Sequence, residues 1–512
     1  MIFLTASLVA AEQYDLVITG GRVMDPETQY DAVANVGIRN GRIIAITQET
    51  IHGSAAIDAR GLVVAPGFID THFHALDGLS VRLAARDGVT TGMDLELGAY
   101  NVAQWYAEKE NRWPLNYGTT ASQEVTRMLV HDPEIKIEGP VDATRVFELR
   151  AESEKDGVIG WSETRSSLEQ MNQVTAMLDE QLRLGALGVG STVGYARRGI
   201  SSYEMFEAQR AAARYGRLTS VHTRFHSMNK TPTEATLAFA EIYTNASLLN
   251  APLLMAHNND YGWREIEEKL QLAREQGHNM WSEYYPYDSA STSIGSEFLR
   301  PAMIEDAMGL NYEDILFDPI QDKFLSTADY KKVVAEDPGR TVIIFNPARK
   351  QWLPNWLEAP HMTVAADSMW CNLSWDASYD EYQGHPRTAG SHGKVLAMAR
   401  EQGVPLMTTL AQMSYLPAKH LGDTGIEAMK IRGRLQLGMV ADITIFHPGK
   451  VKDNATYQRG EQGRPTTDIP YVIVNGKTVI KESRFQHGVW AGKPIRFAVE
   501  AAGRFVPATF DN

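Results

Sequence analysis

Val63–His74 reads VVAPGFIDTHFH. A short apolar run meets a proline–glycine pair, a second apolar stretch follows, and the segment closes on His72-Phe73-His74. Side chains alternate along a strand, so both imidazoles share one face and can bind one ion. Two histidines at that spacing are common by chance, and the pair alone carries little weight. Position raises it: the pair ends an apolar strand, which is where (β/α)₈ barrels gather their chemistry.

Upstream, residues 13–65 read as short strands. Tyr14–Thr19 alternates and stops at Gly20-Gly21, and Val33–Arg39 turns back at Asn40-Gly41 into Arg42–Ile46, a hairpin signal. Downstream of Val63 the pattern changes. Apolar strand-like runs alternate with amphipathic segments such as Tyr203–Tyr215 (YEMFEAQRAAARY) and Trp263–Gln276. Alternation kept up over several hundred residues predicts a parallel α/β architecture, here a (β/α)₈ barrel spanning 63–429. Strand-and-turn patterning returns after about residue 430, in Asp442–Phe446 (DITIF) and Tyr471–Val479 (YVIVNGKTV). The segments 12–62 and 430–495 are therefore expected to build one small β-sandwich from both chain ends. Residues about 300–360, rich in Asp, Pro and Trp, break the alternation and predict an insertion beside the barrel mouth.

Composition narrows the chemistry. The 512 residues carry a formal net charge of −14, which argues against nucleic acid or an anionic membrane surface as partner. No run is apolar for long enough to span a bilayer. Cys371 is the one cysteine, so neither an internal disulfide nor a thiolate cluster can form. A bound metal must rest on histidine and carboxylate, donors that suit zinc or a similar divalent ion. Met1–Ala11 (MIFLTASLVAA) is apolar, ends in small residues and lacks a basic start. It reads as a signal-peptide remnant and favours a secreted or periplasmic protein over a cytoplasmic one, against the alternative of a disordered or strand-leading N-terminus.

Three further positions match the pair. His222 ends LTSVH, His257 ends LLMAH, and Asp367 ends MTVAAD, each a polar residue closing a short apolar strand. Glu96 and Asp94 lie in Thr90–Gly98 (TTGMDLELG) on one strand face. A single strand-terminal histidine is more often structural than a ligand. Four of them followed by an aspartate are hard to explain by structure alone.

Together these segments resemble the amidohydrolase superfamily, and within it the N-acyl-D-amino-acid deacylase (D-aminoacylase) branch. PGFIDTHFH and the N-terminal strands are similar to the superfamily's opening, and Gly433–Phe446 and Tyr471–Lys477 to its closing strands. Gly185–Val189 (GALGV), Tyr285–Thr292 (YPYDSAST) and His385–Leu396 (HPRTAGSHGKVL) are similar to deacylase segments. The resemblance spans about residues 14–495. It implies one or two zinc ions on His72, His74, His222 and His257, with Asp367 as general base and acid acting on a small-molecule amide. Asp376, which no strand precedes, ranks below Asp367.

Two departures stand out. The branch carries a cysteine in the strand after HxH; here Glu96 falls close to that position and is expected to bridge two ions, with Asp94 as runner-up. The branch also has a lysine just beyond the last histidine, whereas Asn258 and Asn259 follow His257. Arg387 is then the cation expected to take a substrate carboxylate, beside Ser291 and with Tyr287 polarising the carbonyl. Other amide hydrolases (a dipeptidase, a cyclic-imide hydrolase) stay open, a deaminase less so, and a non-catalytic scaffold fits poorly with a complete donor set. Self-association into a homo-oligomer is also left open.

Overall fold

The computed structural model describes residues 14–153, 159–225 and 233–509; the signal-like segment lies outside the described residues. The apolar runs after Val63 become eight parallel strands: Phe68–Asp70, Val89–Ala99, Asn116–Ser122, Gly188–Ser191, Leu218–Val221, Leu253–Met255, Met280–Tyr284 and Thr363–Val364. They are hydrogen-bonded in chain order, and a parallel bridge between Phe73 and Ser368 joins last to first. The Asp70 carboxylate reinforces that seam by accepting the Ala366 amide at 3.1 Å. The chain is thus a TIM-like barrel, as the alternation predicts. Helices such as Leu168–Arg183 and Ser202–Arg214 run between the strands. Ser167 and Gln170 form a capping box on the first of these, and Ser201 caps the second.

Ile69, Met93, Leu95, Leu218, Leu254 and Trp281 pack together in one buried cluster with Leu421 of the helix Leu416–Asp423. With this much apolar surface gathered in one place, the polar residues of the strand ends collect at the opposite mouth. Gly67, between the sandwich strand Val63–Pro66 and the first barrel strand, is held to glycine by packing. A Cβ there would sit 2.3 Å from Thr90 Oγ1.

The β-rich ends form one nine-stranded sheet, wrapped around a core that includes Ile18, Val36, Ile43, Ile443 and Ile473. Val63–Pro66 pairs antiparallel with Ile443–Phe446, which stitches the two chain ends into the small sandwich. Both Asn-Gly hairpin signals are realised with positive φ at each turn residue: 51° and 73° at Asn40-Gly41, 48° and 80° at Asn475-Gly476.

Between the seventh and eighth barrel strands the chain leaves the barrel. Ser289–Ser293, Leu316–Asp318, Lys323–Phe324 and Thr341–Phe345 form a separate antiparallel sheet. This sheet has its own core, including Ile294, Leu299, Tyr312 and Val342. The excursion begins at Ser289, earlier than the composition shift near residue 300. Its first strand, SASTS, is short and polar and gives no apolar signal. Among the described residues, no helix is long and apolar enough to cross a membrane.

Candidate metal centre

His72 and His74 leave the first barrel strand side by side, with Nε2 atoms 3.0 Å apart. Glu96, from the second strand, turns one carboxylate oxygen to each half of the site. Its Oε2 lies 3.2 Å from His72 Nε2 and 3.3 Å from His74 Nε2. Its Oε1 lies 2.8 Å from His222 Nδ1 and 3.2 Å from His257 Nε2. The latter two nitrogens are 2.9 Å apart. Asp367 closes the ring, with Oδ1 at 3.3 Å from His72 Nε2 and 3.7 Å from His74 Nε2. Six residues from five strand ends, separated by up to 295 positions in the chain, thus converge on one buried spot.

The surrounding groups fix how the imidazoles present themselves. His72 Nδ1 is 2.7 Å from Glu283 Oε1, and Thr71 Oγ1 donates to the other Glu283 oxygen. His74 Nδ1 is 2.9 Å from Asp94 Oδ2, while Asp94 Oδ1 accepts the Leu97 and Gly98 amides. A carboxylate at Nδ1 holds the proton there and leaves the Nε2 lone pair facing inward, the usual arrangement behind a metal-bound histidine. His257 and Asp367 have φ of 50° and 48°. A non-glycine residue there stores about 1–3 kcal/mol of strain, a cost that tends to be found at functional sites.

The donor set fits a cation. Two pairs of inward-facing ring nitrogens at 2.9–3.0 Å repel unless a proton or a positive ion lies between them. Electrostatics point the same way. Burial opposes charge on His72, yet Asp367 and Glu96 outweigh it and raise its pKa well above the usual imidazole value. Burial likewise opposes charge on His74, but Asp94 prevails and pushes it up to about 9. Burial would raise the Glu96 carboxyl; His72, His222 and His257 instead hold it well below the usual carboxylate range. His222 is shifted downward, chiefly by burial. A site that draws in positive charge this strongly, built from imidazole and carboxylate, suits zinc. Three overlapping donor trios meet the spacing: His72, His74 and Glu96; His72, His257 and Asp367; and Glu96, His222 and His257.

A cavity of about 190 Å³ opens on this cluster, and Ser291 and Tyr285 line it. Phe298, Met303, Ile304 and Ile344 of the excursion form an apolar wall on it. Its four arginines already have carboxylate partners: Arg150 with Glu124, Arg197 with Glu297, Arg224 with Glu241 and Arg349 with Asp260.

Two expectations, Tyr287 and Arg387, need correction. Tyr287 is not on the cavity: the chain turns after Tyr284, and its ring is buried between His385 and the Lys394 ammonium. Tyr285, from the same segment, does line the cavity. Arg387 is 1% exposed and does not line it; its Nη2 lies 2.9 Å from Asp367 Oδ1. Asp94, the alternative bridge, stands behind His74 rather than among the converging donors. Asp376 is on the surface, 3.5 Å from His487. Sequence reading missed Glu283. Its signal was a lone charge in the otherwise uncharged strand Met280–Tyr284 (MWSEY).

No family model matches the chain. It is 24% identical to the D-aminoacylase of Alcaligenes xylosoxydans xylosoxydans over 95% of this chain and 98% of that one. A crystal structure of D-aminoacylase, described as defining a novel subset of amidohydrolases, superposes with a TM-score of 0.72 at 21% identity. The match covers 94% of this chain and 99% of that one. The N-acyl-D-glutamate deacylase of Bordetella bronchiseptica, solved with zinc and a phosphonate mimic of the tetrahedral intermediate, gives 0.74 at 22% identity. It covers 95% of this chain and all of that one. The donor set is one that can hold a divalent metal, and the relatives the chain resembles along its whole length are metal-dependent amidohydrolases. Within that class the chain is D-aminoacylase-like.

Proposed function

We propose that this chain hydrolyses the amide bond of an N-acyl amino acid. The observation that carries the reading is Glu96, straddled by two imidazole pairs, with Asp367 poised 3.3 Å from His72 Nε2. The deacylase names of its full-length relatives support the substrate class.

In this reading His72, His74, Glu96, His222 and His257 would hold one or two zinc ions, with the Glu96 carboxylate lying between the two imidazole pairs. A zinc ion held there would supply Lewis acidity, polarising the amide carbonyl and lowering the pKa of bound water from about 15.7 towards neutrality. Asp367 accepts the proton of the attacking water as its oxygen bonds to the carbonyl carbon. The same carboxyl then delivers that proton to the nitrogen as the C–N bond breaks, so one residue serves as base and acid. Arg387 Nη2, at 2.9 Å, holds the Asp367 carboxylate in place. Tyr285, on the cavity wall, donates its O–H to the substrate oxygen, and Ser291 orients the remainder.

The test is turnover of zinc-loaded protein on N-acyl amino acids of both hands, alongside dipeptides and cyclic amides. D-selective release of the amino acid supports the reading. Hydrolysis confined to dipeptides or cyclic amides overturns the substrate class while leaving an amide hydrolase.

A further inference from the structure

The lysine-free stretch after His257 raises the question of what orders the substrate side of the cavity. Asn258 and Asn259 are buried and serve the backbone. The Asn258 amide donates to Glu283 O at 2.7 Å, and Asn259 Nδ2 donates to Tyr285 O at 2.9 Å. Neither brings a charge. The cation at this corner comes instead from the excursion.

Arg349 sits in the short helix Pro347–Gln351, just beyond the strand Thr341–Phe345, and is 5% exposed. Its Nε and Nη2 both donate to Asp260 Oδ1, at 3.0 and 2.8 Å. Its Nη1 donates to the Tyr285 hydroxyl at 2.8 Å. One guanidinium therefore ties the excursion to the loop after the sixth barrel strand and to the residue after the seventh. The bond has a chemical direction. A phenol that accepts from arginine has its own hydrogen left to give, and arginine cannot accept one. The Arg387 guanidinium lies 4.9 Å over the same ring and Arg349 5.6 Å from it, so cations flank the phenol on two sides.

We propose that Arg349 is a positioning residue. Held by Asp260, it fixes the Tyr285 hydroxyl so that its proton is directed to the substrate oxygen. The inserted subdomain thereby completes an active site that the barrel alone leaves unfinished. The inference rests on the amide-hydrolase reading and deepens it. Because three donors are fixed by two partners, Arg349 presents a rigid fork that a lysine ammonium reproduces only in part.

The experiment is a double-mutant cycle on zinc-loaded full-length protein with Arg349→Met, Arg349→Lys, Tyr285→Phe and the Arg349→Met/Tyr285→Phe pair. Zinc content and thermal midpoint are checked for each. It is run on whichever amide of the panel the wild type hydrolyses, so a wrong substrate class does not obscure the result. Tyr285→Phe is expected to lower kcat by about 100-fold, as loss of one preorganised donor does. Arg349→Met should lower kcat by about tenfold or more with little change in KM, and Arg349→Lys should recover part of that loss. The pair should be no slower than Tyr285→Phe alone. Losses that multiply, or an Arg349→Met protein as fast as wild type, overturn the inference. No hydrolysis of any amide by the wild type overturns both.

Discussion

At Asp87, between the first helix and the second barrel strand, a buried carboxylate meets four donors. The His392 amide lies at 2.7 Å, His392 Nδ1 at 3.1 Å, the Gly393 amide at 2.9 Å and Thr466 Oγ1 at 2.5 Å. The His392 ring stacks flat on Phe68, 5.6 Å between centroids. At Glu96 a buried carboxylate meets four imidazoles, and those imidazoles also face one another. Both places pair histidine with carboxylate in a dry interior. At Asp87, donors answer acceptors and the chain is tied to itself. At Glu96, ring nitrogens face ring nitrogens, and the repulsion is relieved only when a proton or a metal cation lies between them. The lesson is that burial and histidine content do not identify a metal site; the direction of the ring nitrogens does.

The sharpest way to break that contrast is Asp367→Asn. It should cut kcat by about 10³-fold or more while zinc content stays near the wild-type value, because the proton carrier is lost and the imidazoles remain. Steady-state kinetics with elemental analysis reads both numbers. Retained turnover removes Asp367 from the proton-transfer role.

The contrast sharpens when the two second carboxylates are compared. Asp94→Asn keeps an oxygen for the Leu97 and Gly98 amides but sets an N–H₂ against His74 Nδ1, favouring the wrong tautomer. Zinc affinity should fall by about 10–100-fold, as competition with a chelating dye will measure; an unchanged affinity would mean Asp94 does not orient His74.

The pH dependence of zinc binding comes next. In the metal-free chain His74 holds its proton up to about 9, against 6.5 unperturbed. Its contacts therefore favour the folded apo protein fully below about 6.5, and that contribution is lost as pH rises through about 9. Zinc must displace that proton, and His72 is shifted upward as well, so apparent affinity should rise by about tenfold or more per pH unit across that window. Calorimetric titration at several pH values checks this, and a flat profile counts against it.

The smallest effect is expected at the other cluster. Asp87→Asn should cost about 1–3 kcal/mol of stability, the price of leaving buried donors unmet. Denaturant unfolding should show that loss with zinc affinity unchanged. A fall in zinc affinity there would erase the distinction between the two clusters.

Much of this was legible in the sequence because strand ends are short-range features. VVAPGFIDTHFH, LTSVH, LLMAH and MTVAAD each announce a polar residue where an apolar strand stops, and all five of those side chains meet. The barrel and the end-built sandwich follow from periodicity and Asn-Gly turns. What stayed hidden depends on contacts between distant segments. The Glu283 support of His72 spans 211 positions and the Asp260–Arg349 pair spans 89, and neither leaves a local pattern. Tyr287 was misplaced because the backbone turns after Tyr284 and buries its ring between His385 and Lys394, which the segment's resemblance could not show. Arg387 was assigned to substrate because sequence cannot show that Asp367 lies beside it.

The most direct test of the account is to locate the metal itself by anomalous diffraction at the zinc edge from crystals of zinc-saturated protein. The account predicts density between Glu96 and the imidazoles of His72 and His74, and again between Glu96 and those of His222 and His257, or at one of the two if a single ion is held. Zinc-saturated crystals with no anomalous density at this cluster would contradict it.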